Sequence, residues 1–140
     1  ALGSKEGRKW RVGIQHPRKP GAIASLDLED GWAIGTSGDY QRYFIEDGQR
    51  YCHIFDPRTG YPMDSGLMSV TIIASSSTDA DGLAKVIVLG LDRGMEMVRN
   101  YGGAEAVFIT SDKKIYVTPG LKNKFRLEDA TNEYTYIQNG

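Results

Sequence analysis

The chain has 140 residues, 40% of them hydrophobic and 25% charged, which suits one ordinary globular domain with a sizeable core. Its 17 basic and 18 acidic residues leave a formal net charge of −1, which excludes a general electrostatic grip on nucleic acid or an anionic membrane. The single cysteine, Cys52, excludes an intrachain disulfide.

The opening stretch, "ALGSKEGRKWRVGI", has no charged segment followed by an apolar one, so no signal peptide is visible. The longest apolar candidate, "AKVIVLGL", falls far short of the roughly 18–20 residues of a membrane span. With no initiator Met, and with "KWRVGI" reached within the first dozen residues, the chain reads as a piece of something longer.

Apolar and polar residues alternate through "KWRVGI", "AIASLDL" and "GWAIGTS", which predicts three short strands. "YQRYFIEDGQRYCHI" predicts a hairpin turning at Glu46-Asp47-Gly48, where the Asp-Gly pair supplies the positive φ that such turns need. "GLMSVTIIA" is the clearest strand, β-branched and apolar.

The period then changes from 2 to 3.6 in "SSSTDADGLAKVIVLGL". Thr78 or Asp79 is the expected helix cap. Ala80, Leu83, Ala84, Ile87, Val88 and Leu91 form the apolar face, and Gly90 lies near the end. "DRGMEMVRNYG" predicts a second short helix, stopping at Gly102 or Gly103. "AEAVFIT" and "KKIYVT" predict another hairpin, and the polar remainder one last short strand with a loose tail. There are no repeats or linkers. The expected class is α+β, one mainly antiparallel or mixed sheet with two helices.

Several stretches carry chemistry-bearing side chains. Asp81 and Lys85 are spaced i, i+4 on one helix face, which suits a surface ion pair. Alternatively, Asp81, taken as lying in the first helical turn, is a hard oxygen ligand for Mg²⁺, with free backbone N–H groups nearby to attract phosphate. His53 can serve as acid, base or phosphate partner, or simply as a structural residue at a strand end. In "DPRTGYP", Asp56 before Pro57 is a turn-former, and Arg58 and Thr59 suit a solvated turn as well as a phosphate contact. "TSGDY", Thr36 to Tyr40, offers hydroxyls and a carboxylate but no phosphate-loop or dinucleotide fingerprint. Cys52 and His53, as neighbours on a strand, point to opposite faces, so Cys52 reads as structural.

Taken in order, "KWRVGIQHP", "IGTSGDYQRYF", "DGQRYCHIFDPRTGYP", "SVTIIASSSTDADGLAK" and "VLGLDRGMEMV" resemble the C-terminal portion of ApbE-type FAD:protein FMN transferases. The resemblance spans nearly the whole chain as a single domain. It implies an enzyme that splits FAD at its pyrophosphate and passes FMN to a Ser or Thr hydroxyl of an acceptor protein, with Mg²⁺ bridging the pyrophosphate. It implies acceptors among subunits of membrane redox complexes, and a periplasmic or outer-face location beside the cytoplasmic membrane, where many relatives are lipid-anchored. Two other activities stay open: a FAD pyrophosphatase releasing FMN and AMP, and a non-catalytic flavin-binding module.

Carried over by residue, the resemblance implies that Asp81 is the metal-binding Asp and His53 the catalytic residue nearest the FAD. Phe55, through its backbone, and Thr36, Ser37 and Gly38 line the flavin site on the same reading. Two departures stand out. Lys85 occupies a position where the family usually has a metal-holding Thr, and an ammonium cannot ligate Mg²⁺; it either swings away or sets its own cation there against Asp81. The chain also begins just after the family's "GGD" stretch, so the N-terminal half of the fold is a missing partner.

Overall fold

The computed structural model describes residues 1–138. In chain order the strands are β1 (Trp10–Gln15), β2 (Ala22–Leu28), β3 (Ala33–Gly38), β4 (Tyr43–Glu46) and β5 (Gln49–Cys52), followed by β6 (Leu67–Ala74). Next come helix α1 (Ser77–Ala84), a 3-10 helix (Lys85–Leu89) and α2 (Leu91–Tyr101). The chain closes with β7 (Ala104–Thr110), β8 (Lys114–Val117), β9 (Phe125–Leu127) and β10 (Thr135–Gln138). The α+β class with two α-helices is as expected. The strands, however, are shared among three sheets rather than gathered in one.

The principal sheet runs β10-β8-β7-β6-β3 and is antiparallel except for the parallel β10–β8 pair. On one face it packs against α1, α2 and the 3-10 helix, where Val70, Ile72, Ala106 and Phe108 meet Ala80, Ala84, Ile87 and Val98. On the other face lies the sheet β1-β2-β9, where Ile73, Val107 and Ile115 meet Ile14, Ile23 and Leu26. β6 is therefore covered on both sides. All eight of its residues are buried, which explains why "LMSVTIIA" lacks strand alternation.

The β4–β5 hairpin is anchored in the helix-side core by Cys52 at the end of β5, while every residue of β4 is exposed. Its turn is the expected one, Asp47 and Gly48 holding φ of 50° and 77°. Phe44 stacks on Tyr51 with ring centroids 5.1 Å apart, and the Arg50 guanidinium lies 3.7 Å above the Tyr43 ring.

Three local expectations need correction. The cap of α1 is Ser76, whose hydroxyl accepts from the Asp79 N–H at 3.3 Å, not Thr78 or Asp79. Asp79 is thus the acidic residue of the first turn, and Asp81 sits in the second, away from the free N–H groups. The helical period also does not continue as one α-helix. The β-branched Val86, Ile87 and Val88 favour helix poorly, Val86 and Ile87 are both drawn into the core, and the chain tightens to 3-10 geometry until Gly90 breaks it at φ 80°.

The polar C-terminal stretch forms two short strands rather than one. Phe125 on β9 closes the inter-sheet core, and Tyr136 on β10 stacks on it at 5.2 Å. The expected loose tail falls in part on residues 139–140, outside the described residues.

Candidate functional site

The site is assembled around the C-terminal end of β3. Thr36, Ser37 and Gly38 pair with Thr71, Val70 and Ser69 of β6, so the strand's position is set by the best-buried element of the fold. Side chains alternate across β3, so Gly35 and Ser37 share one face. Gly35 lies against α1 so closely that a Cβ there would come within 3.0 Å of the Ala80 carbonyl. This approach brings the helix's outer end to Ser37. Gly38 has a different reason for lacking a side chain: the Tyr40 ring covers it, and a Cβ would stand 2.4 Å from that ring.

Lys85, just beyond the end of α1, makes use of this proximity. Its ammonium donates to Asp81 Oδ1 at 3.0 Å and to Ser37 Oγ at 3.3 Å. The Asp81–Lys85 pair is largely exposed, so the pair itself stabilises the helix by only about 0.3–0.5 kcal/mol. Its significance is positional: it links the helix to β3 across 48 residues of sequence.

His53 follows β5 and is held through Arg42. Its backbone N–H donates to the Arg42 carbonyl at 2.9 Å, and ring Nδ1 lies 3.2 Å from the same oxygen. A carbonyl only accepts, so Nδ1 is the protonated nitrogen of this contact, and the neutral ring keeps its lone pair on Nε2. A cavity of about 320 Å³ is lined by Thr36, Ser37, Gly38, Gln41, His53, Ile54 and Lys85. Five of these were expected from sequence; Gln41 and Ile54 were not. Both lie within the quoted stretches "IGTSGDYQRYF" and "DGQRYCHIFDPRTGYP", and only the folded chain, which sets Gln41 and Ile54 beside the end of β3, marks them as lining residues.

Phe55 is not among the lining residues. Its backbone bridges Pro62, and the residue is 57% exposed. Cys52 is buried, with its thiol directed at the Ile54 carbonyl at 3.6 Å, a structural position as expected. The "DPRTGYP" segment is a self-contained turn. Asp56 N–H donates to the Tyr61 carbonyl at 2.9 Å, and the Asp56 carbonyl accepts from Thr59 and Gly60 N–H at 3.2 and 2.8 Å. The Arg58 guanidinium forks onto the Asp56 carboxylate at 2.6–3.2 Å and, with the Arg58 N–H, lowers its pKa to about 2. Next in sequence to Gly38, Asp39 of "SGDY" is held by Arg18 in a bidentate pair at 2.7 and 2.6 Å.

The donor set does not fit Mg²⁺. The ion takes six oxygens in a near-ideal octahedron, typically one or two carboxylates with substrate phosphates and water. Here Asp81 is the carboxylate beside Ser37, and an ammonium already engages it. Thr36 Oγ1 is shared with Thr71 Oγ1 at 2.9 Å. Among the described residues no group of three or more His, Cys, Asp or Glu is placed to hold a metal. A cation brought close to Lys85 would also meet repulsion of about 4 kcal/mol per unit charge at roughly 4 Å, for an effective dielectric near 20.

The sequence model of the ApbE family matches residues 1–108. The chain belongs to the ApbE family. Among its relatives, the FAD:protein FMN transferase of Treponema pallidum (strain Nichols) is 39% identical over 127 residues, covering 87% of this chain and 34% of the relative. The ApbE protein of Thermotoga maritima superposes with a TM-score of 0.77 at 40% identity, covering 89% of this chain and 41% of that one. The flavin transferase ApbE from Vibrio cholerae gives a TM-score of 0.70 at 33% identity, covering 86% and 39%. The chain thus spans 34–41% of the length of these ApbE relatives.

Proposed function

We propose that this chain serves FAD:protein FMN transfer. The observation that carries the reading is convergence. Thr36, Ser37 and Gly38 from β3, His53 after β5 and Lys85 after α1 come from separate parts of the sequence and line one cavity. Family membership and the names of the relatives support the chemistry. At about 320 Å³ the cavity is at the small end of ligand pockets and suits part of a dinucleotide.

In this reading the hydroxyl oxygen of an acceptor Ser or Thr attacks the flavin-side phosphorus of FAD. The bond from that phosphorus to the bridging oxygen breaks, AMP leaves, and FMN stays on the acceptor as a phosphoester. His53 Nε2, which carries the lone pair in the neutral ring, takes the hydroxyl proton. Ser37 and the strand end orient the phosphate. Mg²⁺ is left out of the step because Lys85 occupies the carboxylate. Acceptors of membrane redox complexes and an address outside the cytoplasmic membrane complete the proposal. The additional length of the relatives further suggests that residues 1–140 on their own transfer no flavin.

Product analysis tests the reading. The full gene product is incubated with FAD and an acceptor protein, and the products are resolved by intact mass and nucleotide chromatography. FMN adduct on Ser or Thr together with AMP supports transfer. Free FMN plus AMP would mean that water takes the acceptor's place, and unchanged FAD would mean no cleavage; both contradict it.

A further inference from the structure

We propose that Lys85 is the resident cation of this cavity: its ammonium stands in for a divalent metal and itself receives an anionic phosphate, so phosphate binding here does not depend on Mg²⁺. The proposal rests on the flavin-nucleotide reading only for what bears the phosphate.

Three observations carry it. First, the ammonium is held at two points. A lysine ammonium has three N–H donors; two are directed at Asp81 Oδ1 at 3.0 Å and Ser37 Oγ at 3.3 Å, which leaves one. Lys85 also lines the cavity with Thr36, Gly38 and His53, so the remaining donor has an anion-sized space beside it.

Second, the position is preorganised by backbone. Gly35 seats β3 against Ala80 and the backbone N of Asp81, so Ser37 and the helix end cannot drift apart without unpacking the strand from the helix. A flexible four-carbon stem thereby acquires a fixed end, and the ordering cost falls on folding instead of on ligand binding.

Third, the charges sort themselves by exposure. The Asp81 side chain is 74% exposed and turned to solvent, where water screens it. It anchors the ammonium from the outer side, and a phosphate entering the cavity meets the ammonium and the Ser37 hydroxyl. A compact ammonium is a well-suited point-charge partner for phosphate. The ammonium held beside Asp81 also repels an incoming metal.

Inorganic pyrophosphate is the probe, because it carries no flavin; failure of the transfer reading and failure of this one are then separate results. Calorimetric titration is run on the full gene product in EDTA and again with excess Mg²⁺, together with a titration of Mg²⁺ alone. The expected results are pyrophosphate binding in EDTA that changes less than about twofold with Mg²⁺, and no heat from Mg²⁺ alone. Lys85→Met is expected to weaken pyrophosphate at least tenfold. Lys85→Thr is expected to weaken it similarly in EDTA and to recover with Mg²⁺. Lys85 is exposed, so both variants keep the fold, which circular dichroism checks. Any of four results overturns the proposal: no pyrophosphate binding by the unaltered protein, binding only with Mg²⁺, an unaffected Lys85→Met variant, or a Lys85→Thr variant indifferent to Mg²⁺.

Discussion

Gly35 and Ala80 meet backbone to backbone: a methyl on Gly35 would stand 3.0 Å from both the carbonyl carbon and the carbonyl oxygen of Ala80, and 3.1 Å from the Asp81 nitrogen. None of these atoms is the end of a movable side chain, so a methyl must push the helix off the strand. Gly35→Ala is therefore expected to destabilise the fold by about 1–3 kcal/mol. The separation of Lys85 from Ser37 would widen with it. Urea denaturation measures the first effect, and weakened pyrophosphate binding reports the second. An unchanged midpoint would mean that the contact relaxes freely.

The start of α1 depends on a residue that lies outside it. Ser76 Oγ satisfies the Asp79 N–H, which otherwise has no intrahelical partner. Ser76→Ala should cost about 1 kcal/mol. For a domain of this size that lowers Tm by a few degrees. Differential scanning calorimetry checks it, and Ser76→Asp should retain most of the stability because its carboxylate caps the same N–H.

The turn after β5 has a pH signature. Asp56 has its pKa lowered from 3.8 to about 2, chiefly by the Arg58 side-chain bond and then by the Arg58 backbone N–H. A carboxyl whose pKa is lower in the folded than in the unfolded chain stabilises the fold fully above 3.8 and loses that contribution as pH falls through about 2. Glu133, lowered to about 2 by Lys19 and then Lys113, adds to the same acid loss. Urea midpoints of the unaltered chain and of Asp56→Asn should differ at pH 6 and converge between about pH 4 and pH 2. A gap that persists at pH 2 would place the effect outside the ion pair.

Much of this fold is legible in local pattern, because local pattern is what decides it. The Asp47-Gly48 turn and the buried run of β6 need only neighbouring residues to be read. The stop of α1 at Ala84 was hidden because the apolar spacing continues to Leu91, while the β-branched stretch that ends the α-helix depends on the core taking Val86 and Ile87 together. The partition into three sheets was hidden as well, since β9 finds β2 across roughly a hundred residues and no local pattern marks that pairing. In the site, Asp81 with Lys85 follows from helical spacing alone. The bond from Lys85 to Ser37 does not, because it arises only once Gly35 has seated the strand on the helix. Gln41 and Ile54 were missed because the segments before β4 and after β5 come to the end of β3 only in the folded chain.

His53 bears the central claim most directly. It is exposed and clamped through the Arg42 carbonyl, so its loss tests chemistry with little effect on the fold. The decisive measurement is the rate of FMN transfer from FAD to an acceptor protein by the full gene product and by its His53→Ala variant, with Tm recorded for both. The account predicts an unchanged Tm within about 2 °C and a rate lowered about 10²-fold or more, the usual contribution of a positioned acid–base group. Transfer by His53→Ala at the unaltered rate would contradict it.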